Sequence, residues 1–314
     1  VKIEILIVLF LVLSAVNIVR SNENGSLASS ASFFFSVFTL CFFIGLIAII
    51  AGTGGGVLFT SLFLGFTSVH PDIIRATGLL AAIAGTRIGA RTYLRSIANI
   101  RIALLLGLPY TLFAVLGAFF GLYLTKHFGT FGIALIKLLL GFIVVGIGMA
   151  YIFVKRSEYP SITAVDSFTQ KLGLEVPYFE QSIGKVVNYK LRHAWVAILL
   201  CCGVGFISGT FGLGAGWAIG PIINLIMSAP LKVATTTSAV IISIGDTAAI
   251  FPYFMSGSII PIFAVPAVTG LMVGARVGSS VAVRIKARYI RYILVLILIF
   301  AGVRLIWVGL WMMV

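Results

Sequence analysis

Arg87, Asp246 and Arg276 each fall inside a long apolar run of this chain, and two glycine clusters interrupt two other such runs. The first cluster is Gly52, Gly54, Gly55 and Gly56, and the second is Gly212, Gly214 and Gly216. An ionisable side chain in such a run is expensive to bury and is a functional hypothesis by default. The guanidinium groups of Arg87 and Arg276 offer planar, paired donors to an oxyanion. The plainer alternative is that Arg276 and Asp246 neutralise each other as an ion pair. Asp246 is the one acid deep in the apolar region, which makes it the candidate proton carrier if solute movement is coupled to protons. Thr77, Thr237 and Ser238 fall early in the segments after the glycine clusters. Their hydroxyls can donate to an anion or bond back to their own helix carbonyls.

Glycines at these spacings permit positive φ and let a solute approach bare backbone. Broken helices are tolerated inside a membrane only where the backbone lines a cavity or is buried in protein. The half-helices after the breaks, 57–66 and 217–228, would aim N–H groups and positive dipole ends at the gap, an arrangement suited to an anion. The competing reading is that the glycines only allow close helix packing. Neither cluster is a nucleotide loop, since no GK[ST] follows.

The elements that must hold these residues follow from composition. Of 314 residues, 61% are hydrophobic and 10% charged, with a mean hydropathy of +1.18. Average soluble usage is about a quarter charged, and apolar runs of roughly twenty residues, the length of a membrane-spanning helix, recur throughout. The fold class is therefore an all-α polytopic membrane protein. The net charge of +14 sits mainly in short links, where it sets orientation and meets headgroups rather than nucleic acid. Cys41, Cys201 and Cys202 lie in apolar runs without CxxC spacing or a nearby His, so neither a disulfide framework nor structural zinc is expected. No cofactor motif is present. Residues 1–20 are expected to be a retained N-terminal helix or signal anchor. Lys2 gives a positive start, Glu4 opposes it, and no small-x-small cleavage site follows.

The chain also repeats itself. Residues 45–56 (GLIAIIAGTGGG) align with 205–216 (GFISGTFGLGAG), and the same offset pairs Thr77 with Thr237 and Cys41 with Cys201. After a small deletion Pro109 meets Pro266, Gly117 meets Gly274 and Gly121 meets Gly278. This predicts two repeats, 33–154 and 193–314, joined by a polar link over 155–192. Each repeat contains a glycine-interrupted segment (33–66, 194–228) and three helices: 73–97, 103–125 and 132–154, then 233–255, 259–283 and 289–312. Arg91, Arg95 and Arg101 flank the first-half link whose counterpart at 255–260 carries no basic residue. The next link reverses the bias, with Arg284, Lys286, Arg288 and Arg291 in the second half. Equivalent loops on opposite sides are what inverted-topology repeats produce. Inversion needs each interrupted segment to return to its own side, as a Gly-broken helical hairpin. The 155–192 link is then expected in the cytoplasm and the C-terminus outside.

The sequence GTGGGVLFTSLFLGF followed by RATGLLAAI, repeated as GTFGLGAGWAIGPIINL followed by VATTTSAVIIS, resembles the sulfite exporter TauE/SafE family. The likeness covers 33–154 and 194–312. It is looser in the first half, which lacks the proline that Pro221 supplies in the second. The resemblance implies secondary transport, without ATP, of a sulfur-containing anion such as sulfite, thiosulfate or an organosulfonate at the paired glycine motifs. The expectation is an alternating-access carrier in the cell membrane, an exporter and not an enzyme, with Arg87 and Arg276 backing the anion. An anion channel of the same architecture, a membrane-embedded enzyme and a non-transporting scaffold are the alternatives. Against the enzyme, no HExxH, paired catalytic carboxylates or Ser–His arrangement falls within a span.

Overall fold

A chain without water to bond its backbone must bond to itself, and helices do so locally. The computed structural model describes residues 27–51, 53–90, 97–153, 166–180, 185–282 and 287–313. Segment 1–20, Gly52, Arg91, Arg95, Arg284 and Lys286 lie outside the described residues. The first half supplies α1 (Leu27–Ala51), α2 (Gly55–Phe66), α3 (Pro71–Ala90) and α4 (Ile100–Phe153). The link supplies α5 (Ser167–Lys171) and an antiparallel pair, β1 (Tyr178–Glu180) and β2 (Lys185–Val187). The second half supplies α6 (Ala194–Phe211), a short α7 (Ile219–Pro221) running into a π-helical turn (Ile222–Ile226), α8 (Leu231–Met255), α9 (Pro261–Ala282) and α10 (Ala287–Trp311).

Six of these helices (α1, α4, α6, α8, α9 and α10) are long and apolar enough to cross a membrane. α3 has the length, at 20 residues, but carries Asp72, Arg75 and Arg87. Prolines set several starts: Pro71 and Pro261 occupy first helical positions, where the missing N–H costs nothing. Asn99 opens α4 by accepting from the backbone N–H of Arg101 at 3.0 Å and of Ile102 at 3.2 Å, an N-cap bond pattern.

Sequence reading expects two helices, 103–125 and 132–154, with a link between them. Instead, helical conformation continues from Ile100 to Phe153 apart from Gly129, whose φ of 50° and ψ of −124° break it. Gly132 then lies against the carbonyl of Leu124. Those residues would be about 12 Å apart along a straight helix, so the chain doubles back at one glycine and α4 has two arms, 100–128 and 130–153. The link is absent because Gly129 alone supplies the reversal, with open space where a side chain would stand.

Two apolar cores result. One joins α1 and α2 to the second arm of α4 and to α9 and α10; the other joins α6 and the π turn to the first arm of α4 and to α8. α3 contributes to both, with Ile74 and Ala81 in the first and Ala76 and Leu79 in the second. Partners are exchanged between halves: α1 packs along α9, and α6 along α4. The glycines matched in sequence make these crossings close. Gly45 meets the backbone of Leu271, Gly205 that of Tyr110, Gly117 that of Phe206, and Gly274 that of Phe42. For these four, the helix-packing reading of glycine is the correct one. The outer faces carry exposed Leu108, Leu112, Phe119, Leu296, Phe300 and Trp307, as expected of surfaces that meet lipid.

Candidate functional site: two helix breaks that meet

α1 ends at Ala51 and α2 restarts at Gly55, with Gly54 at φ 70° and ψ 157° as an N-cap that offers no side-chain bond. That backbone region is essentially reserved for glycine. In the second half α6 ends at Phe211, and Gly212 (φ 67°) and Gly214 (φ 65°) turn the chain before it reaches α7. α2 has 12 residues and is about 18 Å long, too short to cross a core of about 30 Å.

The two breaks touch. Gly216 packs on the carbonyl of Thr53 and near the nitrogen of Gly54, and Gly56 packs on the carbonyl of Leu213. α3 runs past both: Gly78 lies against the carbonyl of Gly212, Ala82 between Gly56 and Gly214, and Gly85 against Gly55. Thr86 stands beside Gly54, as Asp246 of α8 stands beside Gly214. These are matched positions, since the offset that pairs Gly54 with Gly214 also pairs Thr86 with Asp246.

A broken helix leaves its last carbonyls without partners, and here side chains supply them. Tyr253 donates to the Gly209 carbonyl at 2.8 Å, Arg75 to that of Thr210 at 2.8 Å, and Thr60 to that of Gly212 at 2.7 Å. The N–H groups of Gly212 and Leu213 both donate to the carbonyl of Ser208. The charge of Arg75 also suits the negative end of the α6 dipole. Arg75, near a helix end, reads as a side chain that reaches out to headgroups, yet it is fully buried. It pairs with Asp72, donates to the Gly121 carbonyl, and lies 5.6 Å from the centre of the Tyr253 ring. The start of α3 is surrounded by α4, α6 and α8, so the near end of a helix is not the surface of the protein.

The other expected site residues divide. Thr77 is buried with a hydroxyl lacking any hydrogen-bond partner. Thr237 is buried and accepts from the N–H of Asn99 at 3.0 Å, while Ser238 donates back to the Thr235 carbonyl at 2.9 Å. Arg87 lies on α3 one residue past Thr86, with its side chain outside the described residues. Arg276 lies on α9, which reaches the first break through Leu271 beside Gly55. Leu271, Gly274, Ala275 and Gly278 form the inward side of α9, and Arg276 is exposed with Met272 and Val273 on the other. Asp246 is fully buried and accepts from Tyr110, and from Ser208 at 3.3 Å, so the suggested pairing with Arg276 is not its arrangement. Cys41 and Cys201 are buried free thiols, one in each core.

Sequence reasoning does not assign Tyr110, Ser208, Tyr253 or Arg75 to this region. The one available signal was the placement of a tyrosine and a serine within otherwise apolar runs. The link also packs onto the membrane helices. Asp166 caps α5 and accepts from the N–H of His193 at 2.6 Å, just before α6. Asn99 donates to the Leu174 carbonyl at 2.7 Å and to the Tyr189 hydroxyl at 2.8 Å.

The architecture is that of a multi-pass helical membrane protein in which two broken helices meet. Residues 37–305 match the sulfite exporter TauE/SafE family, and the chain belongs to that family of membrane transporters. Over 278 residues it is 26% identical to the probable membrane transporter protein YunE of Bacillus subtilis (strain 168), covering 84% of this chain and 94% of that protein. No solved structure matches.

Proposed function

We propose that this chain is a secondary transporter of a small sulfur-containing anion such as sulfite, thiosulfate or an organosulfonate, held at the paired breaks and moved by alternating access. The observation that carries the proposal is the contact of residues 53–56 with 213–216. At the start of α2 the first-turn N–H groups have no partner within the helix, and the N-cap adds none. Uncapped N–H groups beside positive-φ glycines suit an anion. Gly54, Gly55 and Gly56, with Gly212, Gly214 and Gly216, form this candidate site, to which the proposal adds Gly52 from the sequence and the unpartnered hydroxyl of Thr77. Arg87 on α3 and Arg276 on α9 are the candidate guanidinium donors to the anion. The sulfur in the substrate rests on the family, which is named for sulfite export.

Alternating access suits two apolar cores that meet at the breaks, because one core can then rock against the other. Inverted repeats would place the 155–192 link in the cytoplasm and the C-terminus outside a cell membrane. Cysteine accessibility in 255–260 and 284–291 tests this, and labelling of both links from the same side overturns it.

The test of the substrate is a thermal-shift panel on purified protein with sulfite, thiosulfate, sulfoacetate, taurine, sulfate, phosphate and chloride, since a ligand of the folded state raises its melting point. Selective stabilisation by a sulfur anion, lost in Gly54→Val, is expected. A flat response in detergent and in lipid overturns the anion site. Counterflow in proteoliposomes separates a carrier, which shows it, from a channel, which does not.

A further inference from the structure

We propose that Asp246, held by Tyr110 and Ser208, binds a proton together with the anion, so that the two cross as a pair. This rests on the anion reading above and adds its coupling ion and two positioning residues. The carboxyl of Asp246 is fully buried on α8. Its Oδ1 accepts from the Tyr110 hydroxyl on α4 and from Ser208 on α6, and those two hydroxyls are themselves 3.1 Å apart. Its Oδ2 has no partner at all. That oxygen faces the second break, because a Cβ built on Gly214 would lie 3.1 Å from it. A fully buried polar atom with no partner, aimed at a turn made of glycine, is poised to meet something that comes and goes.

The chemistry of the cluster allows both states of the carboxyl. Ionised, it accepts from two neutral hydroxyls through Oδ1. Protonated on Oδ2, it keeps those bonds and turns a donor toward the break. An anion seated there is repelled by the first state and bonded by the second. Anion binding therefore draws a proton onto Asp246, and by linkage a proton on Asp246 tightens anion binding by the same factor, on the order of 10- to 100-fold.

The surroundings contain no described cation that would replace this proton. From α4 the facing titratable group is Tyr110, and from α6 it is Cys201, which faces Tyr110. α3 presents Ala82. Its Arg75 lies two turns further along α8, against Tyr253, and is paired with Asp72. The side chain of Arg87 on α3 is outside the described residues. The turn at 212–218 carries no ionisable residue. The matched position of the first half holds Thr86, whose hydroxyl bonds back to the Ala82 carbonyl at 2.9 Å. One acid in two otherwise corresponding places means one proton per cycle.

The experiment uses full-length protein in liposomes with pyranine inside and radiolabelled thiosulfate, a probe that does not itself buffer near neutrality. Exchange of labelled for unlabelled thiosulfate at equal pH reads the anion site. Accumulation driven by a proton gradient, with the pyranine signal, reads coupling. Wild type is expected to accumulate thiosulfate several-fold above equilibrium and to acidify the lumen as it does so. In Asp246→Asn the accumulation and the pyranine signal are lost, and the exchange that remains no longer varies with pH. Tyr110→Phe moves the pH profile of accumulation, because one donor to the carboxylate is gone; a merely structural tyrosine would leave that profile in place. Wild-type exchange with no proton movement overturns the inference and leaves the anion reading standing, a result that does not depend on any variant folding. Coupled accumulation in Asp246→Asn likewise overturns it. Absence of exchange for thiosulfate, and then for sulfite and sulfoacetate, removes the anion reading and this inference together.

Discussion

The guanidinium of Arg75 donates to the carbonyl of Thr210 at 2.8 Å, joining residues 135 positions apart. Through its other contacts the same group touches α4 at Gly121 and Thr125 and lies over Tyr253 of α8. One side chain therefore holds the broken end of α6 in place against three neighbours. Arg75→Ala is expected to lower stability by about 3–5 kcal/mol, the cost of leaving a partly buried partner charge and buried carbonyls uncompensated. Thermal unfolding in detergent checks the loss. Asp72→Asn combined with Arg75→Gln should cost less than the sum of the single changes, since the partners are in contact. Additive losses would mean that the pair is not the reason for burying the arginine.

Gly54 and Gly214 share a positive φ but not their surroundings. At Gly54 an added Cβ would meet only Thr86 at 3.6 Å and Gly216 at 3.8 Å, whereas at Gly214 it would run into Ala82. Gly54→Ala should cost roughly 1–3 kcal/mol, from the positive-φ backbone alone. Gly214→Ala should cost that and roughly a further 1–3 kcal/mol for overpacking. Melting temperatures of the two variants give the comparison. Equal losses would show that the space around the two turns is alike.

How much of this was legible before the structure follows from the physics of each residue. The breaks were legible because glycine clusters interrupt apolar runs too long for one span, and both facts are local. The depth of Asp246 was legible for the same reason. Its partners were not, since Tyr110 and Ser208 lie 136 and 38 residues away and no spacing connects them. The sequence shows how far along α9 Arg276 lies but not which way it faces. Which side of that helix faces inward depends on phase, and a helix with Met272, Val273 and Val277 exposed carries little polar contrast to reveal it. Distance to a helix end makes Arg75 look like a headgroup-facing residue. Only packing shows that this end is interior. The second arm of α4 was expected, but a link was expected before it, because sequence does not show that Gly129 can reverse the chain alone.

Asn99 is the junction between the link and the membrane helices. It caps α4, donates to the Leu174 carbonyl and the Tyr189 hydroxyl, and its N–H meets Thr237 of α8. Asn99→Ala removes the cap, worth about 1 kcal/mol, and leaves the Leu174 carbonyl without its donor. The effect should be local. Limited proteolysis is expected to cleave 166–193 several-fold faster while the melting of the membrane helices shifts little. Unchanged cleavage would mean that the link is held by other contacts, such as Arg101 to the Gly173 carbonyl.

Asp166 makes the junction between α5 and α6 sensitive to acid. The small burial of its carboxyl acts to raise the pKa, but bonds from the His193 N–H and from the Thr169 hydroxyl and N–H outweigh it, bringing the group below its ordinary value of 3.8. A carboxyl lowered by folding stabilises the folded state above the ordinary carboxylate range. That stabilisation disappears as pH falls through the lowered value. Trp195, about half exposed one residue into α6, is the natural reporter. Its fluorescence, taken as the difference from Trp195→Phe, should hold steady from neutral pH down to the ordinary carboxylate range and change only below it. In Asp166→Asn the acid transition should vanish and the neutral-pH signal should already resemble the acid form. A transition at the same pH in Asp166→Asn would assign it to another group and leave the cap without a part in the acid response.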